Sequence, residues 1–146
     1  EQPLGTAGAI GLIRDPIEHP LLVINGDVLT RVDFQQLMSF HVEQGALATV
    51  CTRMYETEVP FGVVAADGAT FLHMEEKPAV TYMVNAGMYV LSPQVLSIVH
   101  ENEAIDMPEV VSKVSAAGRV VVFPIHEYWT DIGTHESLRQ VDSSWL

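Results

Sequence analysis

Between Pro20 and Gly26 runs Leu21-Leu22-Val23-Ile24-Asn25, a short apolar segment of strand length with no polar alternation. A strand of this kind has to be covered on both faces, as happens in sheets flanked by helices. Segments of helical and strand pattern alternate along the rest of the chain, which points to an α/β fold.

The segments can be placed from their boundaries. Asp33 is set to N-cap a helix with Gln36 reaching back, and Phe34, Leu37, Met38, His41 and Val42 form its apolar stripe. Gly45 is placed to end that helix. Residues 46–54 read as the next buried strand. Strands near 61–66 and 70–75 are joined by Asp67-Gly68, a hairpin signal. Residues 82–91 form a further strand leading into Ser92-Pro93, a cap and first-position proline that open a helix. Asp106-Met107-Pro108-Glu109 reads as a second capping box, with Val110, Val111 and Val114 on its apolar face and Gly118 closing the helix. Residues 119–123 are strand, a short segment at 128–130 precedes Asp131, and Thr134 caps a final helix. Gly5-Thr6-Ala7-Gly8-Ala9-Ile10 looks like the start of a helix whose free N–H groups suit an anion. Packing through small residues is the alternative there.

A chain of 146 residues with 48% apolar and 18% charged residues is long enough to bury a core in one domain. Its 19 acidic and 7 basic residues give a net charge of −12, which disfavours nucleic acid and anionic membranes as partners. The sole cysteine, Cys51, lies in an apolar run and reads as a buried thiol in a reducing compartment. No signal peptide or bilayer-length apolar run is recognisable, so the cytoplasm is the expected location.

Two strand-end carboxylates carry the chemistry. Asp27 follows Asn25-Gly26, and Asp131 follows Tyr128-Trp129-Thr130. Ligand sites of α/β sheets gather outside the carboxyl ends of strands, and paired carboxylates suit Mg²⁺ on phosphates. Each aspartate alone is equally at home in a turn; it is the pair that argues for a site. Glu75-Glu76-Lys77-Pro78 adds an acid for sugar hydroxyls and a cation for a phosphate, or else a solvated ion pair before a turn. Asn85-Ala86-Gly87 interrupts a strand, either as a bulge or where a ligand or backbone comes close, and Gly62 is ambiguous in the same way. The six histidines have no metal-ligand spacing, and His126 and His135 read as surface or supporting residues near Asp131.

Taken in order, Leu4-Gly5-Thr6-Ala7-Gly8, Asn25-Gly26-Asp27, Pro60-Phe61-Gly62-Val63-Val64, Glu76-Lys77-Pro78, Val84-Asn85-Ala86-Gly87-Met88-Tyr89 and Trp129-Thr130-Asp131-Ile132-Gly133 resemble the sugar-1-phosphate nucleotidyltransferases. Within that family the Asn-Ala-Gly stretch is most similar to guanylyltransferases of the mannose-1-phosphate type. The resemblance implies a Rossmann-like mixed sheet with flanking helices. It also implies the reaction of an NTP with a sugar 1-phosphate to give an NDP-sugar and pyrophosphate. By the same resemblance Asp27 and Asp131 are the Mg²⁺ carboxylates, and Lys77 contacts the sugar phosphate. Gly62, Glu76 and Asn85 contact the sugar, Gly87 belongs with the substrate-binding residues, and Gly5, Thr6, Ala7 and Gly8 form part of the nucleotide wall.

The family's glycine-rich loop, with an arginine and a lysine on the triphosphate, lies ahead of where Glu1 falls. The expectation is therefore one nucleotidyltransferase domain over 1–146, the C-terminal part of a larger, N-terminally incomplete domain with little turnover by itself. An uncovered sheet edge would then favour self-association or a homo-oligomer. Two competitors are a glycosyltransferase, disfavoured because Asp27-Val28-Leu29 lacks a second acid, and a non-catalytic assembly module of the same fold.

Overall fold

A computed structural model describes residues 3–133. The expected cap at Thr134, with its helix, and His135 lie outside the described residues. The described residues divide into two compact units, one of residues 3–52 and 85–133 and one of residues 53–84.

The larger unit is built on a four-stranded sheet in the order β1-β6-β3-β7. These strands are β1 (Leu21–Ile24), β3 (Ala48–Glu58), β6 (Ala79–Leu91) and β7 (Val120–Pro124), and β3 and β6 continue into the smaller unit. β1 runs antiparallel to β6, with Leu21 opposite Leu91, whereas β3 and β7 are parallel, with Ala48 opposite Val120. The sheet is therefore mixed, as the resemblance implied. Among the described residues β1 lies at the edge of this sheet, and it is only partly buried.

Helices α1 (Phe34–Gln44) and α2 (Met107–Ala117) belong to the two layers that cover the sheet. Successive β6 residues alternate between the two cores, as strand geometry requires. Met88 and Val90 join Leu37 of α1 and Cys51 in one core. Tyr89 and Leu91 join Met107, Val110 and Val114 of α2 in the other. Truncating a fully buried Leu37 to alanine in such a layer costs about 2–5 kcal/mol.

The capping signals divide into kept and diverted. The Asp33 carboxylate accepts from the Gln35 and Gln36 amides at 2.9 and 3.1 Å, and Gly45 closes α1 in the left-handed region at φ 57°. Phe34 and Val42, assigned to the apolar stripe of α1, are exposed, so the buried face is narrower than the stripe. Asp106 sits at the N-cap of α2 without capping it, because its carboxylate is taken by Thr6. Gly118 closes α2 in extended backbone and not in the left-handed region. Ser92 opens a 3-10 helix, Pro93–Ile98, again without a side-chain cap, since its hydroxyl donates to the Ala46 carbonyl at 2.8 Å. The Gly5–Ile10 segment becomes a five-residue 3-10 helix, Gly8–Leu12, and not an α-helix.

The smaller unit is dominated by the hairpin of β4 (Gly62–Asp67) and β5 (Thr70–Glu76), turning at Asp67-Gly68 as expected. Gly68 takes φ 57° there, and a register shift lies between Ala65 and Ala66.

Candidate functional site

In the larger unit, β2 (Val28–Thr30) pairs antiparallel with β8 (Trp129–Asp131), and Val28 lies opposite Asp131. That register carries Asp27, one residue before β2, to the end of β8. The Asp27 carbonyl accepts from the Ile132 amide at 2.8 Å, which ties the two segments together beyond the strands.

The two carboxylates meet at Gly133. A Cβ built there would stand 2.9 Å from Asp131 Oδ1 and 3.1 Å from Asp27 Oδ2. Both oxygens thus lie around one small space, no more than about 6 Å from each other, whereas opposed oxygen ligands of Mg²⁺ stand about 4 Å apart. The Gly133 amide donates to Asp131 Oδ1 at 2.7 Å and fixes that carboxylate. The donor set is two carboxylates, hard oxygens suited to Mg²⁺. Sequence reasoning gave Gly133 no role beyond a turn; its lack of a side chain is what leaves the space between the acids.

Asp27 lies beside an open cleft of about 430 Å³, lined by Thr6, Ile24, Asn25, Gly26 and Asp27. The end of β1 is held there by β6. The Asn25 amide donates to the Gly87 carbonyl at 2.8 Å, and Gly87 has φ 69°. A Cβ on Gly87 would come 2.8 Å from Asn25 Nδ2, so this glycine marks a close approach of another chain segment. The neighbouring Ala86 carbonyl accepts the Trp129 indole N–H at 2.8 Å, which anchors β8 to the same point of β6. Asn85 folds its carbonyl onto the Gly87 amide at 3.0 Å and its amide onto the Tyr89 hydroxyl. Its polar ends are thus engaged in shaping this strand.

The Gly5–Gly8 wall differs from the expectation of free N–H groups. The Thr6 amide donates to Asp106 Oδ1 at 2.8 Å and the Ala7 amide to the Ile105 carbonyl at 3.0 Å. Ala7 and Gly8 are buried, and Gly5 has φ 71°. Thr6 alone of the four lines the cleft.

Gly62, Glu76 and Lys77 are brought together within the smaller unit. Gly62 and Glu76 are cross-strand partners, and Glu76 Oε2 lies 3.0 Å from where a Gly62 Cβ would be. Lys77 is exposed and has φ 48°, a left-handed conformation uncommon outside glycine. Its amide donates to the Phe61 carbonyl at 3.3 Å. Such backbone costs about 1–3 kcal/mol and clusters at functional sites.

Two reactive residue types belong to the core instead. Cys51 is fully buried, and desolvation pushes its thiol up to about 12. His41 is buried between the Thr49 and Ser92 hydroxyls, at 2.8 and 3.0 Å, and desolvation lowers its pKa. Because the Ser92 proton goes to the Ala46 carbonyl, Ser92 accepts from the ring and has no base to activate it. His126 is exposed, and its backbone amide donates to Glu127 Oε2 at 3.0 Å.

A family model described as nucleotidyl transferase matches residues 1–145. The chain belongs to the nucleotidyl transferase family. This nucleotidyl transferase chain is 31% identical over 140 residues to a protein of Oryza sativa subsp. japonica named Probable mannose-1-phosphate guanylyltransferase 3, covering 90% of the chain and 39% of the relative. It is 27% identical over 164 residues to the mannose-1-phosphate guanylyltransferase catalytic subunit beta of Xenopus tropicalis, covering 100% of the chain and 46% of that protein. The chain therefore spans less than half the length of these relatives. Its fold is that of HddC from Yersinia pseudotuberculosis, with a TM-score of 0.65 at 22% identity, over 100% of this chain and 64% of that one. No helix among the described residues is long and apolar enough to cross a membrane.

Proposed function

We propose that this chain contributes the metal and sugar-phosphate side of a site that transfers a nucleotidyl group from an NTP to a sugar 1-phosphate. GTP and mannose 1-phosphate are the first substrates to test, by analogy with the guanylyltransferases named above. The observation that carries the proposal is the meeting of Asp27 and Asp131 around Gly133, between segments about a hundred residues apart.

Asp27 and Asp131 would hold Mg²⁺, and the ion, when bound, offsets negative charge on the phosphates. Lys77 would neutralise the phosphate of the sugar substrate as a point charge, and Glu76 would accept hydrogen bonds from sugar hydroxyls. Gly62, next to Glu76 across the hairpin, keeps that face free of a side chain. Asn85 and Gly87 hold the β6 segment to which Asn25 is tied, and of the Gly5–Gly8 stretch Thr6 supplies part of the nucleotide wall. An oxygen of the sugar phosphate attacks the α-phosphorus, the bond from that phosphorus to the pyrophosphate oxygen breaks, and pyrophosphate leaves. Such a step depends on alignment and charge neutralisation, with no covalent enzyme intermediate.

The 146 residues contain no glycine-rich loop carrying an arginine and a lysine, so the chain by itself is proposed to turn over slowly or not at all. A cytoplasmic location and self-association through the β1 edge belong to the same proposal. Pyrophosphate release from GTP and mannose 1-phosphate, with and without Mg²⁺, tests it on this chain and on a longer polypeptide supplying that loop. Mg²⁺-dependent release from the longer form is the expected result. Failure of that form to release pyrophosphate with any NTP and sugar 1-phosphate pair would overturn it.

A further inference from the structure

We infer that Asp106 is a positioning residue for the Asp27 cleft, acting through Thr6. Asp106 stands at the N-cap of α2, where an aspartate ordinarily accepts from the helix's own amides. Here Oδ1 accepts instead from the Thr6 amide at 2.8 Å and the Thr6 hydroxyl at 3.2 Å. The Thr6 hydroxyl in turn accepts from the Met107 amide at 2.9 Å and so caps α2 in place of Asp106. The cap is satisfied by a relay through a residue one hundred positions away.

A helix needs no such relay for its own stability, since a direct cap would serve. What the relay adds is a fixed position for the Leu4–Ala7 segment. The Ile105 amide donates to the Leu4 carbonyl, and the Ala7 amide to the Ile105 carbonyl, both at 3.0 Å. Gly5 makes the approach sterically feasible: at φ 71°, a Cβ there would lie 2.6 Å from the Ile105 carbonyl oxygen and 2.8 Å from Asp106 Oδ1. Thr6, the residue gripped by the relay, lines the cleft with Asn25, Gly26 and Asp27, while Asp106 does not. The single proton of the Thr6 hydroxyl is committed to Asp106, so Thr6 contributes a placed wall and not a hydroxyl donor to whatever occupies the cleft. The inference rests on the cleft being the nucleotide side of the proposed site.

The test is binding of Mg·GTP by calorimetry, with amide exchange at Thr6 and Ala7, on the longer polypeptide that supplies the glycine-rich loop, as wild type and as D106A, D106N, T6V and T6S. D106A and T6V are each expected to weaken binding by about tenfold, the size usual for residues that orient a site from behind. The double variant should lose little more than either alone, because both break one relay. D106N and T6S, which keep the acceptor and the hydroxyl, should stay near wild type. Exchange at Thr6 and Ala7 should quicken in D106A and T6V, while the unfolding midpoint falls by no more than the loss of one helix cap allows. Wild-type affinity in D106A, or a loss in T6S equal to that in T6V, would overturn the role. If wild-type protein binds no GTP, the nucleotide reading fails separately. The exchange data then decide, and unchanged Thr6 exchange in D106A counts against positioning.

Discussion

Asp27 and Asp131 bring a carboxylate oxygen each to one point, with Oδ2 of the first 3.1 Å and Oδ1 of the second 2.9 Å from where a Gly133 Cβ would lie. The β2–β8 register and the Ile132 amide bond to the Asp27 carbonyl produce this arrangement.

Gly133→Ala is the most selective way to disturb the pair. The added methyl would press on two side-chain oxygens that can rotate away, so stability should change by less than about 1 kcal/mol. Mg²⁺-dependent nucleotide binding should nonetheless fall by about tenfold or more. Calorimetric titration beside a thermal melt separates the two effects, and equal losses in both would contradict this account.

Gly87→Ala should behave in the opposite way. The residue has φ 69° and no room for a Cβ beside the Asn25 side chain, so the fold itself should lose about 1–3 kcal/mol. Urea unfolding checks it; an unchanged midpoint would mean that Asn25 swings aside freely.

His41 gives the fold a pH dependence. Burial lowers its pKa from the ordinary 6.5, so the unfolded chain binds a proton more readily than the folded one. Its contribution is fully present above pH 6.5 and is lost as pH falls through that value towards the folded pKa. Denaturant midpoints of wild type and His41→Leu at about pH 5 and about pH 7.5 should show the larger drop in wild type. A parallel drop would assign the dependence to other groups. The variant should also be less stable at the higher pH by about 1–3 kcal/mol, since the Thr49 and Ser92 hydroxyls lose the ring.

Much of this was legible in the sequence because the signals were local. The Asp33 and Gly45 caps, the Asp67-Gly68 turn and the apolar strands each depend on neighbours a few residues away, and each formed within a few residues of its expected bounds. Asp106 was misread as a helix cap because its partner, Thr6, is a hundred residues distant. Ser92 was misread for the same reason, its hydroxyl being drawn to the Ala46 carbonyl. The aspartate pair could be suspected from two strand ends. That Gly133 leaves the space between them follows only from the β2–β8 register, which no short motif encodes.

Cys51 should be inert in the folded chain. A fully buried thiol held up to about 12 presents almost no thiolate at neutral pH. Alkylation by iodoacetamide should proceed only at the rate of unfolding; rapid labelling of native protein would place the thiol at the surface.

The β1 edge should promote self-association. Leu21–Ile24 pairs with β6 on one side and with no other strand among the described residues. Sedimentation velocity over a range of concentrations should show species larger than a monomer, and a clean monomer at high concentration would remove the proposal.

The most direct measurement is Mn²⁺ binding, as a spectroscopic substitute for Mg²⁺, followed by electron paramagnetic resonance in the presence of GTP. Wild type should bind one ion, and Asp27→Asn and Asp131→Asn should each weaken that binding by at least about tenfold with the fold intact. Undiminished Mn²⁺ affinity in both variants would contradict the shared carboxylate site.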